Sequence, residues 1–206
     1  MMIGFIASRI DAEHAGGRYA MGGLKELMGE KVHTRDISIS THVAGDDSII
    51  IEGELVDRRL KEYFLFTGEK KFPGVLHHMI VRLHLEGPRL KILDVETEMP
   101  GIPRDECLEM RDCLKPIVGM TITAGFTGKV KELVGGVNGC FHVQTLLLAL
   151  APAAVQGYWS NRMRKRMDRD SIPKKDRAKF LPVNSCGVWR EDGPLIAKVM
   201  KELEID

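Results

Sequence analysis

The stretch LHHMIVRLHLE, residues 76–86, decides the fold because its apolar side chains recur with a period of two. Four of them and His77 fall on one side of an extended strand, whereas Arg82 and Glu86 fall on the other side. Such alternation predicts a strand of an antiparallel sheet that buries one of its two faces. The four apolar residues of the buried side are Met79, Val81, Leu83 and Leu85.

The flanking stretches continue the same pattern. Gly87-Pro88 predicts a turn, after which residues 89–97 form the next strand. Asp46-Asp47 predicts a second turn, further upstream. Three upstream stretches predict further strands: residues 36–41, 47–57 and 63–66. The whole is expected to form an antiparallel meander of about 4–5 strands.

Beyond residue 100 the period of the apolar residues becomes helical. Arg104–Val118 places Cys107 and several apolar side chains at spacings of three and four, which predicts one face of a helix. Residues 126–134 predict a second, short helix. Because strands come first and helices follow, the sequence predicts an α+β fold, in which the meander packs against C-terminal helices.

The longest helix is expected over residues 139–167, with Asn138 as its N-cap and Pro152 inside it. Its first half is apolar almost all round, which predicts a central position in the core. A short helix is expected to follow this one, and a final helix near residues 194–203 completes the chain.

The composition is that of an ordinary globular protein. The 206 residues are 44% hydrophobic and 29% charged, and the formal net charge is +1. This balance creates no overall field that would favour nucleic acid or an anionic membrane. The longest apolar stretch, residues 143–155, is too short and too polar to span a bilayer. With four scattered cysteines and no basic segment before the first apolar run, we expect a cytoplasmic protein with reduced thiols.

Several short motifs follow one another in a specific order and spacing: His33-Thr34-Arg35, Ile51–Asp57, Leu76-His77-His78-Met79, Ile92-Leu93-Asp94, Pro103 with Cys107, Gly125-Phe126-Thr127 and residues 135–142. Together they resemble the bacterial family known as domain of unknown function 2889. The family has no established activity to carry over. This chain departs from its pattern at His78, where the family has aspartate, and at Phe141, where it has threonine.

The resemblance implies a division of the chain into three parts. Residues 33–160 form the family domain, residues 161–206 a basic helical extension that packs on it, and residues 1–32 an N-terminal extension. The basic run Arg162–Lys179 contains interspersed aspartates and few aromatic side chains, which favours a solvated helix face over nucleic-acid binding. The chain could also form a homo-oligomer, which the sequence does not decide.

A fainter similarity links the chain to the iron–sulfur scaffold proteins and the sulfur-acceptor proteins that share their fold. The residues that carry it are Asp94, Cys107, Cys140 and His142. The scaffold's middle cysteine has no counterpart in Thr121–Phe126. This similarity implies sulfur or metal chemistry at the beginnings of two helices.

Cys140 and His142 are the first candidates for such chemistry. A cysteine at a helix N-terminus faces unpaired N–H groups, which favour the reactive thiolate, and a nearby imidazole can act as its base. Alternatively, both side chains could bind zinc or iron. Both could equally be packing or capping residues, since free cysteine is among the most buried residue types.

Three further residues are candidates for supporting roles. Cys107, in the first predicted turn of its helix, is a further metal ligand or a packing residue. His77 is a core residue, a metal ligand or a partner of Asp94. Asp94 lies in a hairpin that we expect to be buried, where a carboxylate needs a partner that Arg35, Arg82 or a histidine could supply.

The sequence therefore leaves three functions open. The leading hypothesis is a thiol or metal protein, with zinc or iron or carried sulfur, that uses Cys107, Cys140 and His142 with Asp94 or His77 in support. The second is a small-molecule enzyme or ligand-binding module in which His142 is the acid or base. The third is an interaction protein without a site.

Overall fold

The computed structural model describes residues 23–165 and 181–203. The strands are β1 (His33–Val43), β2 (Ser48–Arg59), β3 (Tyr63–Phe64), β4 (Lys70–Lys71), β5 (Gly74–Glu86) and β6 (Lys91–Gly101). The α-helices are α1 (Phe126–Val134), α2 (Phe141–Arg162) and α3 (Pro194–Glu202). Short 3-10 helices cover Leu24–Leu27, Asp105–Met110, Lys115–Ile117, Gly136–Asn138 and Gly187–Trp189.

The long strands form one antiparallel sheet in the order β1-β2-β5-β6. The strands β3 and β4 form a separate two-stranded hairpin between β2 and β5, and of these two only β3 was expected from the sequence. The α+β fold with an antiparallel meander is confirmed. Among the described residues, no helix is both long and apolar enough to cross a bilayer.

Helix α2 covers one face of this sheet. Ile49, Ile51 and Leu55 of β2 alternate toward it and are fully buried, as the period of two predicts. Gly53, in the same row, lets the helix approach closely, because a Cβ there would lie 2.8 Å from Leu150 Cδ2. The helix therefore packs closely over the middle of β2. Its N-terminus lies toward the C-terminal end of that strand, where His142 contacts Asp57.

The segment between β6 and α1 differs from the prediction. The α-helix expected over residues 104–118 is wrong, since Asp105–Met110 and Lys115–Ile117 are 3-10 helices. Pro116 explains part of the difference, because it has no N–H to donate to Asp112 and its ring would clash with the preceding turn of an α-helix. Cys107 therefore does not lie at the start of an α-helix.

The boundaries of α2 also differ from the prediction. Cys140, rather than Asn138, is the N-cap residue, because residues 136–138 form a 3-10 helix of their own. The helix ends at Arg162 rather than near residue 167, and Met163 is its C-cap. The final helix is confirmed, whereas the short helix expected after α2 and most of the basic run lie outside the described residues.

Candidate functional site

Three polar side chains form a row across the end of the sheet. In the strand register, Arg35 of β1 lies opposite Asp57 of β2, and Asp57 lies opposite His77 of β5. Asp57 continues the alternation of Ile49, Ile51 and Leu55, so its side chain points to the face that α2 covers. The alternation of side chains along β2 therefore places the Asp57 carboxylate at the edge of the apolar core.

Asp57 is a buried charge with only 2% of its surface exposed. Arg35 compensates this charge with two parallel hydrogen bonds, from Nε to Oδ1 and from Nη2 to Oδ2, each 2.7 Å long. These bonds lower the pKa of Asp57 to about 2, although burial alone would raise it. Asp57 is therefore ionised at neutral pH.

Two imidazoles approach the same carboxylate oxygen. His77 Nδ1 lies 3.2 Å from Asp57 Oδ2, and His142 Nε2, from the first turn of α2, lies 3.4 Å from it. The two rings stack with their centroids 3.7 Å apart and their planes at 26°. A third imidazole, that of His33, reaches Asp57 Oδ1 at 3.5 Å.

Burial keeps the two stacked imidazoles neutral. It lowers the pKa of His142 to about 4, and the neighbouring His77 contributes in the same direction. Burial likewise lowers the pKa of His77, even though Asp57 opposes this effect. Neutral imidazoles keep a free lone pair on one nitrogen, which is the form that binds metal ions.

The three donor atoms have the spacing of a metal site. One ligand atom each from Asp57, His77 and His142 lies within 4.8 Å of the other two. Ligands that share one tetrahedral ion at about 2.0–2.2 Å lie roughly 3.3–3.6 Å apart. The nitrogen-to-oxygen distances of 3.2 and 3.4 Å are close to this range.

Cys140 lies on the other side of the His142 ring. Its Sγ is 3.8 Å from His142 Nδ1, which is the nitrogen that faces away from Asp57. Cys140 is half-buried and packs against the apolar core, as does Cys113. The thiol therefore contacts only His142 among the three candidate ligands Asp57, His77 and His142.

The structure brings only part of the predicted site together. His77 and His142 lie in the group, and Cys140 adjoins it. In the part of the chain that the structure describes, no group of three or more candidate ligands includes a cysteine. Cys107 is half-buried in its 3-10 helix and does not join these residues.

Asp94 lies elsewhere in the fold. It is exposed rather than buried, and it accepts a hydrogen bond from the backbone N–H of Val95 at 2.8 Å. Its register partner on β5 is His84, whose side chain points to the face opposite that of His77. Neither of the two arginines expected as its partner pairs with it, since Arg35 binds Asp57 and Arg82 binds Glu52.

The residue that sequence reasoning missed is Asp57. Its parity with the buried residues of β2 was a usable signal, because a carboxylate on that face needs a cation. On β1, the side chains of His33 and Arg35 point to the same face of the strand, which indicated that they share a partner on a neighbouring strand. The strand register that joins the two sets was not readable from either strand alone.

Comparison with known proteins identifies the family. A family described as Protein of unknown function (DUF2889) matches residues 33–156, more than half of the 206-residue chain. The match includes all three members of the Asp57, His77 and His142 group. No curated protein and no solved structure matches the chain. The resemblance carried by the sequence motifs is confirmed, and the chain belongs to this family of unknown function.

Proposed function

We propose that this protein binds one divalent transition-metal ion through Asp57, His77 and His142. The observation that carries the proposal is the convergence of one carboxylate oxygen and two imidazole nitrogens within 4.8 Å, from β2, β5 and α2. Asp57 is ionised and both imidazoles are neutral near pH 7, so every donor has the protonation state that a metal requires.

The donor set favours zinc or iron(II). Imidazole suits zinc, iron and copper, and two histidines with one carboxylate are the ligand set of several catalytic zinc and non-haem iron sites. Calcium and magnesium prefer all-oxygen sites. Three protein ligands leave at least one coordination position for water or a substrate, as in catalytic rather than structural sites.

Arg35 supports this site as an orienting residue. A carboxylate has about four lone-pair positions on its two oxygens. The two bonds from Arg35 occupy one position on each oxygen, which leaves Oδ2 able to bind a cation. The guanidinium holds the carboxylate plane fixed, an outer-shell role that metal ligands commonly need.

A second candidate function is thiol chemistry at Cys140, as a sulfur carrier or as a thiol enzyme. Cys140 Sγ, His142 and Asp57 follow one another in the order of nucleophile, base and orienting carboxylate, with contacts of 3.8 and 3.4 Å. This function predicts that the His142→Ala variant of the metal-free protein reacts more slowly with iodoacetamide at Cys140. An unchanged rate would exclude a base role for His142.

Metal analysis of protein purified without a histidine tag tests the leading proposal. We expect roughly one equivalent of zinc or iron per chain in the wild type, and loss of the metal in Asp57→Asn and His142→Ala. His78→Ala is the matched control, because His78 binds Glu54 on the opposite face of the sheet. Metal-free wild type that takes up neither zinc nor iron(II) in a titration would contradict the proposal.

A further inference from the structure

We infer that the Cys140 sulfur positions His142 as a metal ligand and does not itself bind the ion. This inference rests on the proposed metal site and assigns a role to the thiol beside it. The thiol accepts a hydrogen bond from His142 Nδ1–H, which leaves the lone pair of Nε2 directed at the ion. Cys140 is therefore a positioning residue.

The geometry of the imidazole ring separates the two roles. His142 Nε2 faces Asp57 Oδ2 at 3.4 Å, whereas Nδ1 faces Cys140 Sγ at 3.8 Å. The two nitrogens lie on different sides of the ring, so an ion bound to Nε2 is out of reach of the sulfur. A thiol can accept a hydrogen bond, although it is a weak acceptor.

The proton count of the ring requires such an acceptor. A neutral imidazole carries one proton, and a metal-bound Nε2 cannot be the atom that holds it. The proton must then sit on Nδ1, and metal-binding histidines almost always donate this second N–H to a neighbouring group. The hydrogen bond that the structure gives to His142 Nδ1 is the one with Cys140 Sγ.

The start of α2 holds the sulfur in place. Cys140 is the N-cap residue, with an extended backbone, and its carbonyl accepts the Gln144 N–H at 2.9 Å. Its half-buried side chain packs against the apolar core. The thiol and the imidazole therefore belong to the same first turn, which fixes their separation.

Cobalt(II) titration of the metal-free protein tests this role, because cobalt reports its ligands by absorption. We expect wild-type protein to bind cobalt with visible d–d bands and without a sulfur-to-cobalt charge-transfer band. Cys140→Ala should weaken binding by about 10–100-fold, the usual effect of losing an outer-shell partner. Cys140→Ser should recover part of the affinity, since a hydroxyl also accepts the hydrogen bond.

Cys107→Ala is the matched control. Cys107 is also a half-buried free cysteine, and it lies in the 3-10 helix Asp105–Met110, outside the group of Asp57, His77 and His142. Its loss should leave cobalt affinity unchanged. The unfolding midpoint of each metal-free variant separates a fold defect from a ligand effect, and 15N chemical shifts of His142 in zinc-bound wild type locate the metal without any variant.

The outcomes separate the two proposals. A charge-transfer band that disappears in Cys140→Ser would make Cys140 a ligand and overturn the inference. Unchanged affinity in Cys140→Ala, or metal at Nδ1 by NMR, would also overturn it, while the metal site would stand. Wild-type protein that binds no cobalt would instead overturn the proposed function itself.

Discussion

Two ion-pair clusters on the same strand, β2, differ in their surroundings. Asp57, under α2, is 2% exposed and is held by Arg35. Glu52, on the opposite face, is over a third exposed and binds Arg82 at 2.6 Å. Arg82 also binds Glu98, on β6, and that contact raises its pKa further than the one with Glu52 does.

Both clusters pair an arginine with carboxylates, and they differ in how far their charged groups are exposed to solvent. An exposed ion pair gains little over the hydration that it replaces, whereas a buried pair keeps most of its electrostatic energy but loses its hydration. The imidazoles of His33, His77 and His142 also lie within 3.5 Å of Asp57, which is why we place the proposed metal site in the buried cluster.

Removal of the buried cation should give the largest effect. Arg35→Ala leaves Asp57 as an uncompensated buried charge, which should cost about 3–5 kcal/mol of unfolding free energy. Urea unfolding of the metal-free protein measures it. The double variant with Asp57→Ala should recover much of the loss, and a double variant no better than the single one would show that the charge was not the cause.

Metal should stabilise the same end of the sheet. An ion that binds only the folded state adds about 2.7 kcal/mol at a free concentration of 100 times its dissociation constant. Thermal unfolding with and without zinc should therefore show a higher midpoint in the wild type and no shift in His77→Ala. An equal shift in both proteins would place the binding elsewhere.

The buried imidazoles should make the metal-free protein sensitive to acid. The folded-state pKa of His142, about 4, is below its ordinary value of 6.5, so the unfolded chain takes up its proton first. This contribution to stability is complete above pH 6.5 and is lost as the pH drops, by about 2.5 kcal/mol at about pH 4.5. Urea midpoints across this range, with a chelator present, should fall less steeply in His142→Gln. Parallel profiles would contradict the assignment.

The exposed cluster should give the smallest effect. Arg82→Ala removes pairs with Glu52 and Glu98 that face solvent, and we expect a cost of about 0.2–1 kcal/mol. High salt should reduce the difference from wild type further, because salt screens exposed charges. A cost comparable to that of Arg35→Ala would erase the distinction between the two faces.

The sheet was predictable because each long strand carries its own signal. Residues 81–86 alternate strictly between apolar and polar side chains, and the same parity placed His77 on the buried face, where the structure has it. The local pattern was weaker in residues 104–118, where apolar spacing suited a helix but Pro116 does not allow one to continue. The spacing of the apolar residues therefore predicted an α-helix, although Pro116 lacks the backbone N–H that the helix needs there.

The site was only partly predictable because it depends on register. His142 was a candidate from its place at the start of a long helix. Asp57 lies 20 residues from His77 and 22 from Arg35 in sequence, and only the pairing of three strands makes them neighbours. A shift in the pairing also falls between Asp57 and Arg58, which no local pattern indicates. The cysteines were easier to select as candidates, because a cysteine at a predicted helix start suggests thiol or metal chemistry without knowledge of its neighbours in the fold.

Anomalous diffraction from zinc-soaked crystals of the wild-type protein would show which side chains hold the ion. We expect one strong peak at the zinc edge, within about 2.0–2.2 Å of Asp57 Oδ2, His77 Nδ1 and His142 Nε2. We also expect Cys140 Sγ to lie beyond bonding distance of that peak. A peak at the cysteines, or no peak between these three side chains, would contradict the proposed metal site.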